Sequence, residues 1–467
     1  MTQDVAYRLA EYITSLKYED IPASAIEATK TDIYDSLSTA IVGSSALGVK
    51  EWIELAEEWS GTPQATVFVF GKKFPAPVAA AINTVMIHGY DYDDTHDISM
   101  MHCGAIAVSC ALAAAERQGG VSGAELLTAI TIGLDLHCRL GLATTIGIVE
   151  SGWVYTTILG IFSAVATAGR IMGLTKDEII NAFGIAYAQT AGNYQAITDS
   201  AWTKRLQPGF ASQAGITACL LAKKGVQGAK NVFEGKYGLF HVYLQDRYNP
   251  AAVTEDLGVK FTHEDLAFKP WPCCRPNQPP INACLEARER FHLDPEQVEH
   301  VELRMNEHFY VCSCTPVEVR KKPKTIVDCQ FSIPYSCACA LVNGRLGLAD
   351  YTEEGLSRPD VLAMAARIDG VIDEEIERNF RAKVCPIIVK IRLKDGTLLE
   401  HRLDVTLGCR EKPMTSQDRK EKMEDCIRFS AMPMPEGTAD RLKELVDGLT
   451  SLESSNAIVS AMCAVSV

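Results

Sequence analysis

Through most of the first half of the chain, apolar residues recur three and four positions apart, which predicts one amphipathic helix after another. Ala6–Leu16 and Ala25–Val42 carry the pattern clearly; Pro22 precedes the second, and Ser24 with Glu27 reads as a capping box. Ala65–Phe70 is a short β-prone piece that stops at Gly71, and Pro75 and Pro77 then open a helix running through Ile87. Ser122 with Glu125 and Thr175 with Glu178 repeat the capping signal ahead of two further helices, the first over Leu126–Leu140. Ser212–Lys224 is a helix stopped by Gly225. The uncharged run Ser151–Gly169 is long enough to span a bilayer. Its threonines, its aromatic residues at one end only and its missing basic flank predict instead a helix buried in a large helical core.

The pattern changes after about Phe261, where Pro270, Pro272, Pro276, Pro279 and Pro280 crowd one stretch. Val298–Met305 and Ile387–Leu393 alternate as strands do, and Asp395-Gly396 between Ile387–Leu393 and Leu398–Val405 is a hairpin signal. Helical stretches, Gln330–Val342 and Pro359–Ala366, lie between the first strand and the hairpin, and helix returns from Ser416 onward, clearest at Arg441–Leu449. The expected architecture is mostly α: a large all-helical domain, residues 1–263 completed by 410–467, plus a smaller α+β domain, residues 264–409.

Composition narrows the function. The chain has 467 residues and a formal charge of −14, which disfavours coating of nucleic acid or of an anionic membrane. No signal-peptide pattern opens the sequence, so a cytoplasmic protein is expected. Several of the 16 cysteines fall inside apolar helical runs (Cys103, Cys110, Cys219, Cys337, Cys339) and read as small core residues in a reducing compartment. There is no Cys-x-x-Cys, no Gly-x-Gly-x-x-Gly after a strand, no Walker sequence and no Gly-x-Ser-x-Gly.

One segment carries the chemistry. His88–Gly104 packs three His and four Asp into seventeen residues between two apolar helices, although the whole chain has only 10 His. Neighbouring Asp and His shift each other's proton affinity toward the working range, the requirement for a proton-transfer group. A second reading of the same segment is a divalent-ion site at Asp91, Asp93, His96 and His102. Three further stretches join it. Thr203-Lys204-Arg205-Leu206-Gln207-Pro208-Gly209 places two cations ahead of a Gly expected to begin a helix, an anion-binding arrangement. Lys269-Pro-Trp-Pro-Cys-Cys-Arg275 stands at the expected domain junction, and Asp328-Cys-Gln-Phe-Ser-Ile-Pro-Tyr335 brings a Ser and a Tyr into a helix.

These four stretches, in this order along essentially the whole chain, resemble the MmgE/PrpD family, the group of 2-methylcitrate dehydratase, cis-aconitate decarboxylase and iminodisuccinate epimerase. The resemblance implies a large helical domain with a smaller α+β lid, a homodimer, a small polycarboxylate substrate, and neither metal nor other cofactor. By motif it implies a pocket at Asp91, Thr95, His102 and Lys204, with Tyr335 and the Lys269–Arg275 stretch. In that reading His102 transfers a proton next to a carboxylate, Asp91 orients it, Thr95 donates a hydrogen bond, and Tyr335 is a second acid. Lys204, Arg275 and Lys269 hold carboxylates. Gln278 stands where the family often has a His; Gln hydrogen-bonds a carboxylate or hydroxyl but does not exchange a proton near neutral pH. The expected reaction is a lyase step, dehydration of a 2-hydroxy polycarboxylate or decarboxylation of an unsaturated one. Epimerisation of a small dicarboxylate and carboxylate binding without catalysis are the alternatives.

Overall fold

The computed structural model describes residues 3–199, 201–381 and 383–464. The chain divides into two compact units, Met1–Leu266 with Cys426–Val467, and Ala267–Asp425.

The first unit is helical. Its centre is built from α1 (Ala23–Gly43), α2 (Ala76–His88), α3 (Gly104–Arg117), α4 (Gly123–Ala143), α5 (Gly160–Ile171) and α6 (Thr203–Lys223). Helix α2 packs against α1, α3 and α6, and α5 against α3, α4 and α6. Small residues permit these close approaches. A Cβ on Gly43 would lie 1.6 Å from the carbonyl oxygen of Met86 in α2, and one on Gly215 of α6 would lie 2.4 Å from the Cβ of Ala164 in α5. Helices α2 and α3 are buried on nearly every face, so the loop joining them, which carries the His/Asp segment, is drawn into the interior.

Capping chemistry sets several boundaries. Ser122 accepts from the Glu125 N–H at the start of α4, and Thr175 and Glu178 form a complete capping box. The expected box at Ser24 does not form: α1 begins at Ala23 behind Pro22, and the Ser24 hydroxyl donates to Glu264. Ser151–Gly169 is not one helix. It breaks at Gly152, whose φ is +74°, and resumes as Tyr155–Ile158 and α5, buried as expected. The β-prone piece shrinks to Ala65–Thr66, paired with Lys73–Phe74. Among the described residues one helix, α4, is long and apolar enough to cross a membrane, and 94% of its apolar window is buried inside the fold, as a core helix is.

The second unit holds a four-stranded sheet. Its strands are β1 (Val298–Met305), β2 (Ile368–Ile372), β3 (Ile387–Leu393) and β4 (Leu398–Leu403), in the order β2-β1-β3-β4. β1 runs parallel to β2 and antiparallel to β3, and β3 and β4 form the expected hairpin, with Gly396 at φ +89° in its turn. A register shift between Val298 and His300 resets the alternation, so that Val298, Val301, Leu303 and Met305 all face the core. Helix α7 (Gln278–Arg290) packs on β3 and β4, and α8 (Ile333–Asn343) on α7 and β2. α8 starts later than the sequence pattern suggests because Ser332 caps it, accepting from the Tyr335 N–H. All 16 cysteines are free thiols and most are buried.

Candidate active site

Helix α2 ends at His88, and the chain turns through Gly89, Tyr90 and Asp91. Asp91 sits at φ +54°, a left-handed conformation that Asp tolerates better than most residues. Asp93 then faces back to the helix end, its Oδ2 2.8 Å from His88 Nδ1. Asp94 closes the loop: its carboxylate accepts from the N–H groups of Cys103 (2.9 Å) and Gly104 (3.0 Å), so it caps α3. Both ends of the segment are thereby fixed by its own side chains.

His102 lies between them. Its Nδ1 is 2.7 Å from the carbonyl oxygen of Asp94 and 3.3 Å from Asp93 Oδ1. A carbonyl only accepts, so Nδ1 carries the hydrogen, and in the neutral ring Nε2 is the nitrogen with the lone pair. Nε2 stands 3.7 Å from Asp91 Oδ1. From α6, Lys204 Nζ donates to the same Asp91 oxygen at 2.8 Å. The His102 backbone N–H donates to Thr156 Oγ1, and the His102 ring meets His88 edge-on with centroids 4.6 Å apart. His102 is the more accessible ring, 13% exposed against 1% for His88, and so is the one placed to meet a small molecule.

The electrostatics follow from burial. Desolvation drives His88 down to about 4 despite the Asp93 charge, so it is neutral at pH 7. Asp93 is itself held well below the usual carboxylate range: burial opposes this, and the charges and hydrogen bonds of His102 and His88 outweigh it. Asp94 is pushed up to about 8, by burial first and by Asp93 next.

His137 of α4 is fully buried, and burial pushes it down to about 3, outweighing a hydrogen bond with the Tyr155 backbone that acts in the other direction. The native protein refuses this proton through the range in which an unfolded chain, at about 6.5, accepts it. Stability therefore falls as pH drops below about 6.5. Urea unfolding at pH 6.5 and 4.5 should show the parent losing about 2–3 kcal/mol more than His137→Leu over that interval. Parallel losses would refute this account of His137.

The structure brings together Asp91, His102 and Lys204 from the sequence-predicted set. Thr95 lies in the same loop, buried, its hydroxyl 3.4 Å from Asp97 Oδ1. His88 and Asp94 were not among the expected site residues; the signal for His88 was its position at the helix end, three residues before Asp91. In the metal reading, His88 replaces His96: ligand atoms of His88, Asp91, Asp93 and His102 lie within 4.8 Å of one another. His96 instead accepts through Nδ1 from Ser99. The donor set suits a proton site better than a cation, because the Lys204 ammonium already neutralises Asp91 and His88 is committed to Asp93. The expected helix start at Gly209 is corrected too. α6 begins at Thr203, with Lys204 and Arg205 in its first turn and Pro208 inside it, so no helix N-terminus faces an anion at Gly209.

Within the second unit, Gln278 is wholly buried and its amide is committed locally: Oε1 accepts from Trp271 N, and Nε2 donates to the Trp271 and Cys273 carbonyls. It splints the Pro-rich turn. The Tyr335 hydroxyl donates to the Asp350 carbonyl at 2.5 Å and burial raises its proton affinity, an arrangement suited to holding α8 in place. Arg275 and Lys269 are both buried, Arg275 in the short turn Arg275–Asn277 that leads into α7.

The model of the MmgE/PrpD N-terminal domain matches residues 7–251 and that of the C-terminal domain residues 271–447. The chain belongs to the MmgE/PrpD family. It is 26% identical to a cis-aconitate decarboxylase of Aspergillus terreus, over 96% of this chain and 93% of that protein. The human cis-aconitate decarboxylase is also 26% identical, over 99% of this chain and 95% of that one. A 2-methylcitrate dehydratase of Cupriavidus necator is 24% identical over 52% of this chain and 50% of its own length.

Proposed function

We propose that the protein is a lyase acting on a small tricarboxylate, with proton transfer at a carbon next to a carboxylate as its central step. The observation that carries this is the His102 tautomer. Its Nδ1 hydrogen is held by the Asp94 carbonyl, and Nε2, on a side chain that is 13% exposed, stands 3.7 Å from the Asp91 oxygen that Lys204 also contacts. Nε2 takes or returns the proton. Asp91 stabilises the imidazolium that forms, and Lys204 shares its charge between Asp91 and a substrate carboxylate, where it also stabilises negative charge developing on the adjacent carbon. Thr95 is the proposed hydrogen-bond donor to substrate. The assignment of Arg275 and Lys269 to substrate carboxylates rests on the motif alone. The names of the relatives, decarboxylases and dehydratases, support a lyase, and none of those reported is an epimerase.

Proton NMR in deuterium oxide with a panel of citrate-like and aconitate-like acids tests the reading. A new alkene signal, or carbon dioxide release, is expected for at least one of them. Deuterium exchange without loss of water or carbon dioxide, or no reaction across the panel, would overturn it.

A further inference from the structure

Three successive backbone N–H groups, those of His102, Cys103 and Gly104, lead into α3 and find their partners outside it. Asp94 takes two of them, its carboxylate accepting from Cys103 at 2.9 Å and from Gly104 at 3.0 Å. Behind them α1 blocks any retreat: a Cβ on Gly104 would lie 2.1 Å from Asp32 Oδ1 and 2.8 Å from Ser36 Oγ. The remaining N–H, that of His102 itself, donates to Thr156 Oγ1 at 3.1 Å. Thr156 is 3% exposed and stands on a closed turn. There the Ile158 N–H donates to the Val154 carbonyl and the Leu159 N–H to the Tyr155 carbonyl, each at 3.1 Å, and the Tyr155 hydroxyl donates to the Ile146 carbonyl at 2.7 Å. His102 is therefore held at two ends. Asp94 holds the ring through Nδ1 at 2.7 Å, and Thr156 holds the main chain. With both ends fixed, the direction in which Nε2 points is fixed as well.

We infer that Thr156 is a positioning residue of the proton-transfer step, acting through the His102 main chain to aim Nε2. The inference rests on the role given to His102 above and adds a residue to it. Removing the Thr156 oxygen leaves the Asp94 contacts to Cys103 and Gly104 in place, so the loss falls on His102 and not on the start of α3. A backbone N–H deprived of its acceptor away from water is costly. His102 can relieve that cost only by turning toward water or another acceptor, and the turn carries the ring with it. A displacement of about 1 Å at a reacting atom costs on the order of 10²-fold in rate.

The test compares two variants of the full-length protein: Thr156→Val keeps the shape and removes the acceptor, and Thr156→Ser keeps the acceptor. On whichever acid the NMR panel identifies, Thr156→Val should lower kcat by about 10–100-fold with KM within about 3-fold, and Thr156→Ser should stay within about 3-fold of the parent. The ¹⁵N spectrum of histidine-labelled protein at alkaline pH supplies a readout that needs no substrate. The His102 ring signals, assigned by their loss in His102→Gln, should report hydrogen on Nδ1 alone in the parent and in Thr156→Ser, and a mixture of both tautomers in Thr156→Val. Normal turnover or unchanged ring signals in Thr156→Val, or equal losses in the Val and Ser variants, would overturn the inference. A parent inert toward every acid would overturn the lyase reading and leave the ring signals to decide this one. Where Thr156→Val does not fold, Thr156→Cys, with a weakly accepting sulfur in place of the oxygen, takes its place with the same expectations.

Discussion

Replacing His102 with Gln is expected to lower turnover by about 10²–10⁴-fold, the range that loss of a positioned proton-transfer group produces. The fold should survive. A Gln amide can still donate toward the Asp94 carbonyl that now receives His102 Nδ1, and the side chain is partly accessible, so no large cavity opens. The Thr156 contact is made by the backbone and is retained whatever the side chain. What Gln lacks is a basic nitrogen at the position of Nε2. Steady-state rates on whichever acid the NMR panel identifies, with far-UV circular dichroism and a thermal midpoint on the same preparations, separate the two effects. Near-normal turnover in a folded His102→Gln protein would remove His102 from the chemistry. His88→Gln should behave differently, because His88 is neutral and enclosed and acts through Asp93. Its loss should fall mainly on stability.

The segment His88–Gly104 was legible because its density of His and Asp is improbable between two apolar helices, and helical periodicity alone placed those helices. What the pattern concealed was which partners meet. His96 and His88 are equivalent by composition, yet only His88, ending α2, faces Asp93, whereas His96 turns to Ser99. That choice depends on the left-handed turn at Asp91, which no spacing rule predicts. Asp94 read as one more acid in a run; its role as the cap of α3 emerges only once the loop closes nine and ten residues later. Gly209, read as the start of a helix, misled in the opposite direction. A Pro followed by Gly reads as a helix boundary, but α6 runs through both, because Gly209 has to lie against the Ala81 carbonyl of α2 and packing outweighs the missing N–H. In the second unit Gln278 and Tyr335 are polar residues in an apolar context, the usual sign of function; their partners are backbone carbonyls of their own unit, and that is a property of three-dimensional closure.

Lys204→Met should abolish most of the activity and also destabilise the protein by about 3–5 kcal/mol, the cost of leaving one member of a buried ion pair without its counter-charge. Asp91 is 1% exposed and Lys204 9%, and their contact at 2.8 Å spans 113 residues of sequence, so the remaining carboxylate has little water to turn to. Asp91→Asn alone should destabilise less, since the longer Lys204 side chain can carry its ammonium toward solvent. Combining the two removes both charges. The double variant should recover much of the stability lost in Lys204→Met, and the double-mutant cycle should return a coupling energy of about 1–3 kcal/mol. Activity should not follow stability. If Lys204 holds a substrate carboxylate and Asp91 stabilises the His102 imidazolium, all three proteins remain impaired, and the double variant is a stable, folded and poorly active protein. Chemical unfolding measures the first quantity and steady-state kinetics on the same samples the second. Recovery of turnover in step with stability would mean that the pair only holds α6 against the loop, and that the carboxylate-binding role belongs to another cation.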